Sequence, residues 1–117
     1  GGISQYLEWA NQSTQPNQGV FFNNTAAIQI YKDYVEHFIS RQNHYTNISY
    51  AQNPTIMAWE VCNEPRHQDL GDNNSSVVLR AWMDEVGAFI KKLAPNHLIS
   101  SGIEGHGQQY GYGGNEG

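Results

Sequence analysis

Pro54 to Arg66, Pro-Thr-Ile-Met-Ala-Trp-Glu-Val-Cys-Asn-Glu-Pro-Arg, is the stretch that most restricts how this chain can fold. Thr55 to Val61 is a short run of β-branched, apolar and aromatic residues behind a proline. A core strand of a parallel sheet has this pattern when both of its faces are covered. The run then turns polar at once. Asn63 and Glu64 stand where the strand gives out, and Pro65 blocks regular continuation because it lacks a backbone donor and fixes its own φ. In parallel α/β architectures the carboxyl ends of strands are where ligands bind and reactive side chains project. A bare Asn-Glu-Pro also fits an ordinary solvated loop, so the tripeptide alone decides nothing.

The flanking sequence supplies the helices that a parallel strand requires. From Thr25 to about His44, Ile28, Tyr31, Tyr34, Val35, Phe38 and Ile39 fall on one helical stripe, with Asn24 or Thr25 as the cap. A second helix is expected from a cap at Ser75 or Ser76 to Leu93. Its apolar face is Val78, Leu79, Trp82, Val86, Phe89, Ile90 and Leu93, and Lys91 and Lys92 lie in the last turn, where the helix dipole favours cations. Pro95 ends it, and His97 to Ile103 is the next strand. Ahead of these lies a polar loop, Gly1 to Asn24, with a short helical piece near Ile3 to Trp9. Strands separated by helices of this size indicate βαβ units, and so an α/β fold with a parallel sheet.

The segment Thr-Ile-Met-Ala-Trp-Glu-Val-Cys-Asn-Glu-Pro-Arg resembles the fourth-strand segment of the retaining glycoside hydrolases of clan A, and most closely the endo-β-1,4-mannanases of glycoside hydrolase family 5. Gly1 to Trp9, Phe21-Phe22, Ala81-Trp82, Ala94 to Leu98 and Gly102 to Gly105 extend the resemblance in the same order along nearly the whole chain. It implies a (β/α)8 TIM barrel. A complete barrel needs about 250 residues, so these 117 are expected to form about half of one, from roughly the third-strand loop to the fifth strand. Residues 1–117 would then be an internal fragment of a single catalytic domain.

The resemblance also assigns roles. Glu64 matches the acid/base carboxyl, and Asn63 the residue that holds the sugar 2-hydroxyl. Arg66 matches a position on the leaving-group side, although a plain surface arginine fits as well. Glu104 ends the next strand and would be a second carboxylate, but the resemblance places the nucleophile elsewhere, so it is expected to be a cleft residue that contacts sugar; Trp9 offers a flat face for stacking on sugar or else packs in the core. The family's nucleophile is a second Glu on the seventh strand, outside this sequence, so the fragment by itself is expected to be inactive. Retaining chemistry needs two carboxyl groups about 5–5.5 Å apart. Glu60 shares strand parity with Glu64, points into the barrel and is expected to sit in a structural ion pair. Trp59 and Trp82 are expected in the core.

Composition excludes several alternatives. With six Lys and Arg and a net charge of −5, neither nucleic acid nor an anionic membrane is an expected partner. No apolar run approaches the roughly 18 residues of a membrane helix. The five His (His37, His44, His67, His97 and His106) show no ligand spacing, so no metal and no other cofactor is implied. Cys62 cannot form a disulfide within the chain and is expected to pack. Asn11, Asn23, Asn47, Asn73 and Asn74 each begin an Asn-x-Ser/Thr sequon, where chance composition gives about one, and this favours a secreted glycoprotein. A signal peptide would lie upstream of Gly1. The expected partner is a neutral polysaccharide: mannan, galactomannan or glucomannan. A related clan A β-1,4-glucanase and a non-catalytic carbohydrate-binding half-barrel stand as alternatives, since mannose and glucose differ at one hydroxyl.

Overall fold

A computed structural model describes residues 2–11, 18–66 and 75–103. In chain order these form α1 (Ile3–Trp9), a 3-10 turn (Gln18–Asn23), α2 (Thr25–Ser40), a second 3-10 turn (Tyr50–Gln52), β1 (Ala58–Glu60), α3 (Ser75–Leu93) and β2 (Leu98–Ser100). The two strands pair in parallel, with Ala58 opposite Leu98, Trp59 opposite Ile99 and Glu60 opposite Ser100. With α3 as the connection, β1–α3–β2 is the expected βαβ unit. Among the described residues it is the only sheet. Two strands are fewer than the four that half of an eight-stranded barrel would contain.

Both strands are shorter than the sequence indicates, and local hydrogen bonding explains the difference. Asn53 Oδ1 accepts from the Thr55 amide and hydroxyl at 3.0 and 2.7 Å, and the Ile56 amide donates to the Asn53 carbonyl. This turn consumes the first residues of the expected strand, in the manner of Asx turns. At the other end of β2, Gly102 takes φ +72, which no extended strand accommodates. Pairing nevertheless outlasts the strands: the Leu98 amide donates to the Met57 carbonyl, and the Val61 amide to the Ser100 carbonyl.

Helix α2 starts where expected, with Asn24 as the cap accepting from the Ala27 amide at 2.9 Å. It stops at Ser40 rather than His44, because Arg41 is extended and a tight turn takes over. There Asn43 Oδ1 accepts from the Tyr45 and Thr46 amides, and Gln42 bridges Ser49. Helix α3 covers its expected span, with Lys91 and Lys92 in the last turn. The capping side chains expected at Ser75 or Ser76 lie outside the described residues.

The core is an aromatic cluster between the helices. Trp82 of α3 packs edge-on against Phe21 and Phe22, with Tyr31 of α2 alongside. Leu7, Ile28, Val35, Ile39, Val86 and Ile90 complete it. Of the stripe expected to be apolar on α2, Tyr34 and Phe38 are exposed, stacked on each other at the edge of the helix. Trp59 is only partly buried and packs against this core. Lys32 of α2 pairs with Glu85 of α3 and lies over the Phe89 ring, tying the two helices at the surface.

At the amino-terminal ends of the strands sits buried His97. Trp59 Nε1 points at His97 Nδ1 at 2.8 Å. Indole N–H can only donate, so Nδ1 is the acceptor and the ring is the Nε2–H tautomer. Nε2 then donates to the Asn53 carbonyl at 3.1 Å. The carbonyl of His97 accepts from Lys91 Nζ. One side chain thus joins β1, the turn ahead of it, and the turn between α3 and β2.

Candidate functional site

At the opposite, carboxyl ends of the strands lies an open cleft of about 500 Å³, lined by Glu60, Asn63, Glu64, Ser100, Ser101, Gly102 and Ile103. Both carboxylates and the carboxamide of the β1 segment line it. On the β2 side it is lined by Ser100, the last residue of that strand, and by Ser101, which follows it. The lining is largely polar, which suits a ligand rich in hydroxyl groups.

The backbone holds Glu64 in an unusual state. Its φ is +46, a left-handed conformation that costs a residue with a Cβ about 1–2 kcal/mol. Two contacts fix that corner. The Glu64 amide donates to the Gly102 carbonyl at 3.0 Å. Behind the strand, the Tyr31 hydroxyl donates to the Val61 carbonyl at 2.7 Å. Buried Pro65 follows, so the chain leaves the corner on a stiff support. Gly102 has to be glycine: a Cβ there would stand 1.8 Å from the Cys62 carbonyl oxygen and 2.8 Å from Glu60 Cγ.

Charge and burial divide the site. Arg66 Nη2 lies 3.6 Å from Glu64 Oε2, with both side chains about half exposed. Among the described residues Glu60 has no ion-pair partner. Burial pushes the Tyr31 phenol well above its ordinary value, with Cys62 and Tyr6 adding to the effect. Tyr31 therefore stays a hydrogen-bond donor. Cys62 packs against the core, and burial, reinforced by Glu60, raises its thiol in the same direction.

Of the residues singled out from sequence, Asn63, Glu64 and Arg66 cluster here. Trp9 does not line the cleft. It is 58% exposed at the end of α1, its ring edge-on to Tyr6 at 5.5 Å, and so is no core residue. Glu104 lies outside the described residues, as do His67 and His106. No group of three or more His, Cys, Asp or Glu among the described residues is arranged to hold a metal. Sequence reasoning missed Tyr31 and Gly102 as parts of the site. Tyr31 sits on the apolar stripe of α2 and is indistinguishable there from a core residue, while Gly102 falls inside the strand expected from His97 to Ile103 and stands out only as a glycine near its end.

Comparison with known proteins places this geometry. Mannan endo-1,4-β-mannosidase 7 of Arabidopsis thaliana is 37% identical over 107 residues, which are 90% of this chain and 24% of that protein. The endo-1,4-β-D-mannanase of Thermotoga petrophila superposes with a TM-score of 0.80 at 37% identity, over 92% of this chain and 28% of that one. The endo-1,4-β-mannanase of Rhizomucor miehei gives 0.81 at 33% identity, over 92% and 31%. The chain thus spans about a quarter of the length of the curated relatives it matches. The family model for GH family 5 β-mannosidase-like proteins matches residues 1–112, and the chain belongs to that family.

Proposed function

We propose that this chain is the part of a secreted, retaining endo-β-1,4-mannanase that carries the acid/base carboxyl, and that Glu64 is that carboxyl. The observation that supports it most is the corner at the end of β1, where Asn63 and Glu64 face a polar cleft from a fixed backbone. Family membership supplies the reaction class. In this reading β1 and β2 are adjacent strands of a (β/α)8 barrel, and the cleft is one sector of the catalytic face.

The chemistry follows from the carboxyl group. Glu64 protonates the glycosidic oxygen as that bond breaks, while a second glutamate from another strand of the complete barrel attacks the anomeric carbon. The departing sugar leaves with the proton. Glu64, now a carboxylate, takes a proton from water as the water attacks the glycosyl-enzyme, and so returns to its starting state. Asn63 hydrogen-bonds the 2-hydroxyl, a contact that strengthens as positive charge develops at the anomeric carbon. Arg66, against the Glu64 carboxyl, serves the leaving-group side. Glu104 and Trp9 contact sugar further along the chain of the polymer. The substrate is a mannan, galactomannan or glucomannan, and the 117 residues alone, with one carboxyl of the pair, do not turn over. Asn11, Asn23 and Asn47 are exposed, as glycan acceptors of a secreted protein must be.

Glu64→Gln in the complete enzyme tests the assignment. Polysaccharide hydrolysis should fall by about 10²–10⁴-fold, the usual contribution of general acid–base catalysis. An aryl β-mannoside with a very acidic leaving group should still form the glycosyl-enzyme, because its departure needs little protonation. Azide should then release a β-mannosyl azide. Mannan hydrolysis within about tenfold of wild type is less than a general acid supplies and would refute the role of Glu64. Faster cleavage of a β-1,4-glucan than of mannan would refute the substrate.

A further inference from the structure

We propose that Tyr31 and Gly102 are positioning residues for the Glu64 carboxyl, clamping the Val61–Glu64 corner from two sides. The inference rests on Glu64 being the acid/base. Its grounds are the hydrogen bonds of the corner. Val61 is held at both backbone groups: its amide donates to the Ser100 carbonyl at 2.9 Å, and its carbonyl accepts from Tyr31 at 2.7 Å. Three residues on, the Glu64 amide is held by the Gly102 carbonyl. Between these anchors the chain has only Cys62 and Asn63 in which to turn, and it ends the turn with Glu64 in the left-handed region.

Neither anchor is free to drift. The Tyr31 ring is wedged among Tyr6, Phe21 and Trp82 at centroid distances of 5.5, 6.0 and 5.9 Å. Its hydroxyl therefore carries the position of the helix core to the strand end. Gly102 reaches the Glu64 amide only because it has no Cβ and adopts φ +72, which brings the tail of β2 against the Cys62 carbonyl. Releasing either anchor lets Glu64 relax toward an ordinary backbone state, and rotation there swings the carboxyl away from the glycosidic oxygen. Proton donation depends on that distance, while sugar binding spread over the rest of the cleft does not.

The test compares Tyr31→Phe, Gly102→Ala and Glu64→Gln in the complete enzyme, on mannan and on a dinitrophenyl β-mannoside whose departure needs no proton. Misplacing the donor by about 1 Å should lower kcat on mannan roughly ten- to a hundredfold, with KM close to wild type. Glycosyl-enzyme formation from the dinitrophenyl substrate should fall much less, by no more than the displaced Asn63 contact contributes. A merely structural role would lower both reactions in parallel through loss of folded enzyme, and that result, or no loss in either, overturns the proposal. Should Gly102→Ala fail to fold, Tyr31→Phe decides, since it deletes one oxygen and leaves the ring packing in place. If Glu64→Gln itself lowers both substrates equally, the acid/base reading falls and the positioning role with it. If Glu64→Gln discriminates between the substrates and Tyr31→Phe does not, the positioning role alone is overturned.

Discussion

His97 offers a way to separate what holds the strands together from what works at their other end. Replacing it with Leu removes the acceptor for Trp59 Nε1 and the donor for the Asn53 carbonyl. A polar group left unpaired in a buried site costs about 1–3 kcal/mol. Trp59 and Asn53 are only partly buried, so the lower end applies to each, and the total is about 2 kcal/mol. A loss of that size lowers the Tm of a domain of 150–250 residues by about 4–8 °C. His97→Asn should lose about half as much, because its Oδ1 can stand near the position of Nδ1 and keep the indole paired. Urea midpoints of the complete protein, read by tryptophan fluorescence, give the free energies. A double-mutant cycle isolates the bond. In a Trp59→Phe background there is no indole donor to orphan, so His97→Leu should cost about 1 kcal/mol less than in the parent. Equal costs in the two backgrounds would refute the reasoning. Because His97 lies at the amino-terminal end of the pair, away from Glu64, kcat should be unchanged in every folded variant.

Two further predictions follow from the fold. Asn24→Ala should cost about 1 kcal/mol by removing the cap of α2, with Asn24→Ser restoring most of it, as thermal melts would show; an unchanged Tm would mean that the Ala27 amide finds another partner. Alkaline stability should decline in a defined direction. The folded protein keeps the Tyr31 phenol protonated where the unfolded chain releases it, near the ordinary 10.0, so the unfolded state binds fewer protons and stability falls as pH rises above about 10. The Cys62 thiol contributes with the same sign from its ordinary 9.0 upward. Tyr31→Phe should remove up to about 1.4 kcal/mol per pH unit from that slope, and an unaltered slope would show that Tyr31 is not the group responsible.

Patterns set by one element were legible in the sequence. The 3.6-residue stripe of α3 located Trp82, Val86 and Ile90, which are buried, and the Asn24 cap located the start of α2. Boundaries set by competing local bonds were not. Asn53 and Asn43 each spend a side-chain oxygen on two donors, and these turns trim β1 and α2 in a way that periodicity does not register. Exposure of Tyr34 and Phe38 was also beyond reach, since an aromatic on the stripe carries no sign of whether a neighbour covers it.

The site divides in the same way. Asn63, Glu64 and Arg66 were legible because they are consecutive or nearly so, and a strand end fixes where consecutive residues go. Tyr31 and Gly102 are 33 residues before and 38 after Glu64 in the sequence, and only folding brings a phenol and a carbonyl to that corner. Their residue types hide their part in it: the tyrosine meets every requirement of a core position, and its hydroxyl is the one atom that does something else. His97 shows the converse. Its spacing from the other histidines says only that no ligand set is formed, whereas the indole of Trp59, 38 residues away, fixes its tautomer. A side chain bonded through both ring nitrogens to the protein has no lone pair left for a metal. That is a stronger ground for excluding His97 as a ligand than the spacing of the five histidines.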